Sequence, residues 1–255
     1  MNATRVGDNI IVANALTKQF DGFAAVSDVD LAVRRHSIHA LIGPNGAGKT
    51  TMFNLITKFL PPTAGTILFN GKDITTENAA RVARRGIVRS FQISAIYPRM
   101  SVADNVRMAL QRPMGTSFHF WKSVKSLRAL DDRIDELLDA VGLLASRGQA
   151  AAGLPYGRKR ALEFATTLAL EPELMLLDEP TSGLGHEDVD RIADLIRQVS
   201  TDRTILMVEH NLSVVAKLAD TITVLARGKV LAEGPYSEIS ENPDVVEAYI
   251  GGSDD

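Results

Sequence analysis

Gly43-Pro44-Asn45-Gly46-Ala47-Gly48-Lys49-Thr50 satisfies the pattern G-x-x-x-x-G-K-[ST] at every fixed position. Ile38-His39-Ala40-Leu41-Ile42 runs into it as a strand. A helical pattern follows from Lys49 to about Leu60, where Pro61-Pro62 would stop it. Strand, glycine-rich turn and helix in that order make a phosphate-binding loop. The glycines let backbone N–H groups converge on phosphate oxygens, and the helix adds the positive end of its dipole. Lys49 would reach the β and γ phosphates, and the Thr50 hydroxyl would ligate Mg²⁺. A glycine-rich turn arising by coincidence would not carry both these fixed positions and these flanks.

Short strand-like runs alternate with helical patterns on both sides of this loop. Ile10-Ile11-Val12 and Val26 to Val33 read as strands, as does Thr66-Ile67-Leu68-Phe69 with the tight-turn pair Asn70-Gly71 behind it. Leu127, Leu130, Ile134, Leu137, Leu138 and Val141 recur at helical spacing, with Asp131, Asp132, Asp135, Glu136 and Asp139 on a solvated acidic face. From about Ala95 to Ala165 helices and loops replace strands, so a helical insertion is expected. The alternation returns with strands at Leu174–Leu177, Thr204–Val208, Thr221–Leu225 and Lys229–Leu231. Helices are expected between them at Glu187–Val199 and Leu212–Leu218. The basic run Arg81, Arg84, Arg85 and Arg89 reads as a solvated helix face.

The chain has 255 residues with 28 basic and 31 acidic side chains, a net charge of −3. That balance supplies no field for holding nucleic acid, so none is expected as a partner. The absence of cysteine excludes disulfide frameworks, thiolate metal sites and cysteine nucleophiles. No run reaches the roughly 20 apolar residues of a membrane span. The first eight residues lack the apolar core of a signal peptide, and a cytoplasmic protein is expected.

Leu174-Met175-Leu176-Leu177-Asp178-Glu179 is an apolar strand ending in two carboxylates. In a parallel sheet such an end faces the ligand crevice. Asp178 is placed to hold the Mg²⁺ shell, and Glu179 to orient or deprotonate an attacking water. Alone, such a pair reads as a helix-capping turn. It is not alone, because Val208-Glu209-His210 ends the next strand and sends His210 to the same crevice edge.

The order of these motifs resembles the nucleotide-binding subunit of an ATP-binding cassette (ABC) transporter over about Ile10 to Gly251. The resemblance implies a single α/β nucleotide-binding domain. It has a P-loop NTPase (RecA-like) core with a predominantly parallel sheet, about 1–94 and 166–235, and an N-terminal antiparallel β region. A helical subdomain occupies about 95–165 and a helical tail about 236–255. Gly43 to Thr51 matches Walker A, so Asn45, Gly46, Ala47, Gly48, Lys49, Thr50 and Thr51 would bind ATP. Gln92 in Arg89-Ser90-Phe91-Gln92 matches the Q-loop, with a catalytic and metal-binding role beside Thr50 and Asp178. Asp178-Glu179 matches Walker B, and His210 the switch histidine. Phe20 falls where the family stacks an aromatic on adenine; an ordinary strand-end core aromatic is the alternative.

Leu154-Pro155-Tyr156-Gly157-Arg158 aligns with the signature, usually Leu-Ser-Gly-Gly-Gln, and departs from it at Pro155, which has neither hydroxyl nor N–H. Gly157 and Arg158 remain to cap the partner subunit's γ-phosphate. Gly185 in Ser182-Gly183-Leu184-Gly185 stands at the usual Asp of the D-loop. The Arg-Ser-Phe-Gln form, Tyr156-Gly157-Arg158-Lys159-Arg160-Ala161-Leu162-Glu163-Phe164-Ala165, the insertion between Arg112 and Leu127, and the tail from Asn242 resemble branched-chain amino-acid importer ATPases. Importers for amides or urea share these features, and export of lipid or polysaccharide is a further alternative. Implied partners are a second ATPase subunit, two transmembrane permease subunits and, indirectly, a solute-binding protein, with the chain peripheral on the inner face of the cell membrane. Ile93 to Met100 would line the permease groove or seal the core. Phe118-His119-Phe120-Trp121 would pack inward or touch a membrane protein. A soluble P-loop kinase or GTPase is the competing class, and the guanine-reading Asn-Lys-x-Asp it would need is missing.

Overall fold

The computed structural model describes residues 7–90, 96–111 and 130–250. Strands β1 (Asn9–Phe20) and β2 (Phe23–Arg34) form an antiparallel hairpin. Asp21-Gly22 closes it with both φ positive, at 42° and 89°, the pairing a tight hairpin needs. Both strands outrun the short apolar stretches that announce them. β3 (Ile38–Ile42) leads through the glycine-rich loop into α1 (Lys49–Ile56). β4 (Ala64–Phe69) and β5 (Lys72–Asp73) turn about Asn70-Gly71, again with both φ positive at 52° and 71°.

Helix α1 stops earlier than Pro61-Pro62 would require. Lys58 adopts a left-handed φ of 61°, and its Nζ donates to the Thr75 carbonyl at 2.6 Å. The Thr57 hydroxyl donates to the Phe53 carbonyl at 2.6 Å, closing the last turn. A tertiary anchor ends this helix before the prolines are reached.

Then follow α2 (Ala79–Arg84), β6 (Ile87–Ser90), α3 (Val102–Leu110), α4 (Asp131–Ala140), α5 (Tyr156–Leu168), β7 (Leu174–Asp178), α6 (His186–Val199) and β8 (Thr204–Val208). The chain continues with α7 (Leu212–Leu218), β9 (Thr221–Ala226), β10 (Lys229–Gly234), α8 (Tyr236–Glu241) and α9 (Pro243–Ile250). One sheet has the order β2-β1-β4-β5 and is antiparallel. The other has the order β10-β9-β3-β8-β7-β6 and is parallel except for its β10–β9 edge.

The central strands β3, β7 and β8 are buried on both faces, which is why they read as almost continuous apolar runs. Leu41, Leu174, Leu176, Leu206 and Val208 share one core with α1 and the antiparallel sheet. Ile38, Ile42, Met175, Leu177, Ile205 and Met207 point the other way, into a core with α3 to α7. The acidic face of α4 is not simply solvated. Asp131 pairs with Arg107 at 2.7 Å, and Asp135 with Arg147 at 2.6 Å, tying α4 to its neighbours.

His39 on β3 is 1% exposed. Its Nε2 lies 2.7 Å from the Thr223 hydroxyl, which donates onward to Glu233 at 2.7 Å, so the imidazole is the donor. Burial pushes its pKa from 6.5 down to about 4. The folded state therefore resists a proton that the unfolded chain accepts below pH about 6.5. Stability should be undiminished above that value and fall as pH drops from about 6.5 to about 4, by about 3 kcal/mol in total. Urea titrations across this range should show the slope in the wild type and a flatter profile in His39→Gln. Identical slopes would remove His39 as the cause.

A candidate nucleotide site at the strand ends

The C-terminal ends of β3, β7 and β8 open on one cleft of about 220 Å³, lined by Asn45, Gly46, Ala47, Gly48, Lys49, Thr50, Thr51, Glu179 and His210, with Ala25 and Val208 beside them. Parallel strands place their loops there together. Gly48 has φ 104° as the residue capping α1, and a Cβ on it would stand 2.5 Å from the Ala25 carbonyl oxygen. Only glycine fits both the conformation and the approach.

Lys49 is buried, and its Nζ donates to the carbonyls of Gly43 at 2.6 Å and Pro44 at 2.8 Å. Burial lowers its pKa, while the charges of Glu179 and Asp178 pull it back up. Glu179 has a left-handed φ of 49°, which swings its carboxylate off the line of β7 into the cleft. There His210 Nε2 meets Glu179 Oε1 at 2.5 Å. The acid and the imidazole are one unit, joined across two strand ends.

Glu209 carries the arrangement and had no role in the sequence reading. It is 3% exposed. Its Oε1 accepts from the Thr181 N–H at 2.9 Å and from the Thr181 hydroxyl. Its Oε2 accepts from the N–H groups of His210 at 2.9 Å and Asn211 at 3.1 Å. One carboxylate thus fastens the loop after β7 to the loop after β8, and so fixes Glu179 against His210. A buried acid directly after an apolar strand was the signal available.

Arg89 corrects another expectation. It is not on a solvated helix face but on β6, with its side chain 4% exposed and paired with Asp178. Arg85 is also engaged, in a fork on Glu77 at 2.6 and 2.8 Å. Asp178 lies outside the cleft lining, though its charge reaches Lys49.

Phe20, Gly157 and Arg158 are not among the residues lining the cleft. Phe20 is 42% exposed at the end of the β1–β2 hairpin, with Lys18 Nζ 5.1 Å from its ring centre. Pro155 caps α5 without a side-chain hydrogen bond, so the helix begins at Tyr156. At Gly157 a Cβ would stand 2.2 Å from Asp188 Oδ2, so a larger residue there requires the half-buried Asp188 carboxylate to turn aside. Arg158 donates to the Ser146 hydroxyl at 3.2 Å. Gln92, Ile93 to Ala95, the insertion with Phe118 to Trp121, and Gly251 lie outside the described residues.

The family model described as ABC transporter matches residues 26–182, more than half of the chain. The chain belongs to the ABC transporter family. A second model, described as branched-chain amino acid ATP-binding cassette transporter, matches residues 229–255 of the cassette. The cassette is 36% identical over 249 residues to the high-affinity branched-chain amino acid transport ATP-binding protein LivG of Salmonella typhimurium, covering 95% of this chain and 98% of that one. It is 34% identical to BraF of Pseudomonas aeruginosa, carrying the same description, over the same shares. Among solved structures, the ADP conformation of MJ1267, an ATP-binding cassette of an ABC transporter, superposes with a TM-score of 0.82. It is 28% identical, over 95% of this chain and 99% of that one. No described helix of the cassette is long and apolar enough to cross a membrane.

Proposed function

We propose that the chain is the ATP-hydrolysing subunit of an importer for branched-chain amino acids, lying peripherally on the inner face of the cell membrane. The observation that supports it best is the junction of Glu179 and His210 in the cleft whose floor is the phosphate-binding loop. The amino-acid cargo follows from the 36% identity to LivG and from the matched tail at 229–255.

The loop N–H groups and Lys49 would hold the phosphates. Glu179 would take the proton of the water that attacks the γ-phosphorus, and His210 would keep that carboxylate aimed at it. The donors fit Mg²⁺, because this ion favours one or two protein oxygens plus substrate phosphates over a full protein cage. Thr50 offers a hydroxyl and Asp178 a carboxylate, and among the described residues no cluster of three or more metal-binding side chains competes. The ion would supply charge to offset the phosphates. Gln92 would join these groups, and Phe20 would receive the adenine.

The start of α5, with Gly157 and Arg158, would cap the γ-phosphate held by a second ATPase subunit. Pro155 contributes no N–H, so Tyr156 and Gly157 supply the first donors. Two permease subunits and a solute-binding protein would complete the assembly. Deleting the gene should lower uptake of labelled leucine, isoleucine and valine and leave urea and amide uptake intact. Loss of urea or amide uptake instead would replace the cargo assignment while keeping the ATPase.

A further inference from the structure

Arg89 lies between the two halves of the candidate site. Its Nη1 donates to Asn54 Oδ1 on α1 at 2.6 Å, and its Nη2 donates to Asp178 Oδ2 at the end of β7. The guanidinium carbon stands 5.5 Å from the centre of the buried Phe53 ring. The side chain is 4% exposed, so water screens this charge poorly. Its Nε has no hydrogen-bond partner among the described residues.

We propose that Arg89 is a built-in counter-ion that competes with Mg²⁺ for the Asp178 carboxylate and so sets the metal affinity of the site. The inference rests on the assignment of Asp178 to the metal. Two opposed effects act. The fork orients the carboxylate, which favours metal binding by sparing the freezing of a short side chain. The same fork neutralises the carboxylate and repels a divalent cation arriving beside it. The repulsion involves a full charge against a double charge at close range in a poorly screened site, and it outweighs the ordering of one aspartate. Asn54 and Phe53 prevent the guanidinium from simply swinging away. Arg89 is therefore a positioning residue acting through Asp178, without contact to the phosphates.

The test is calorimetric and needs no turnover: binding of a non-hydrolysable ATP analogue is measured in EDTA and across a Mg²⁺ titration. In Arg89→Gln the Mg²⁺ concentration that half-maximally strengthens binding should fall about tenfold, equivalent to about 1.4 kcal/mol. Arg89→Lys keeps the charge beside Asp178 and should stay within about threefold of wild type. Affinity in EDTA should be unchanged in both variants. An unchanged or raised Mg²⁺ requirement in Arg89→Gln overturns the proposal, as does an equal change with and without metal. If the wild type binds the analogue with no response to Mg²⁺, the metal assignment itself fails, and this inference with it.

Discussion

Glu179→Gln is expected to stop ATP turnover, with kcat lower by about 10²–10⁴-fold, while nucleotide binding persists. Glutamine has the same length and accepts the same left-handed φ of 49° as the glutamate it replaces. The backbone N–H of residue 179 keeps its 2.9 Å bond to the Val208 carbonyl. The amide also keeps a hydrogen bond available to His210, which lies 2.5 Å from Oε1 in the native pair. What disappears is the ability to take a proton. Steady-state phosphate release is the measurement, with titration of ATP as the control for binding. Wild-type turnover in this variant would take Glu179 out of the mechanism. Loss of binding would mean that its charge is needed to set up Lys49, whose pKa it helps to hold up.

The parts of this architecture that could be read from sequence are those whose causes are local. Gly48 stands out because its φ of 104° and the Ala25 carbonyl beside it leave no other residue admissible. β7 and β8 stand out because both faces are buried, so Leu174 to Leu177 and Ile205 to Val208 are all apolar. The illegible parts depend on distant chain. Arg89 looks like one more arginine in a basic run until β6 pairs with β7 and brings it to Asp178. Glu209 acts only because the loop at Thr181 returns to it across the sheet. The end of α1 is fixed by Lys58 reaching Thr75, which no helix-stop residue announces.

The departures in the signature and D-loop segments have a similar logic. Gly185 caps α6 at φ −73°, a conformation open to any residue, and a Cβ there would meet nothing within 4 Å. No local strain demands glycine at this position. Gly157 differs only in that the movable Asp188 carboxylate lies where a Cβ would go.

Lys49→Met should weaken nucleotide binding by about 10²–10⁴-fold. The ammonium would exchange its two carbonyl partners for phosphate oxygens, and each hydrogen bond to a charged group is worth about 1.5–3 kcal/mol. Methionine keeps the apolar stem that is buried beside the loop but removes the donors to the Gly43 and Pro44 carbonyls. Lys49→Arg should not rescue, because a broad planar guanidinium does not reproduce the compact point charge that the tight loop presents to the phosphates. Calorimetric titration with ADP avoids turnover, and the melting temperature without nucleotide checks that the loop still folds. Affinity within about threefold of wild type would remove Lys49 from the phosphate site. Together with Glu179→Gln the variant divides the cleft in two. One substitution keeps binding and loses chemistry; the other keeps the base, still joined to His210, and loses the ligand it acts on. A site in which both substitutions cost binding equally would be a single electrostatic cluster, with no division between the group that holds phosphate and the group that receives the proton.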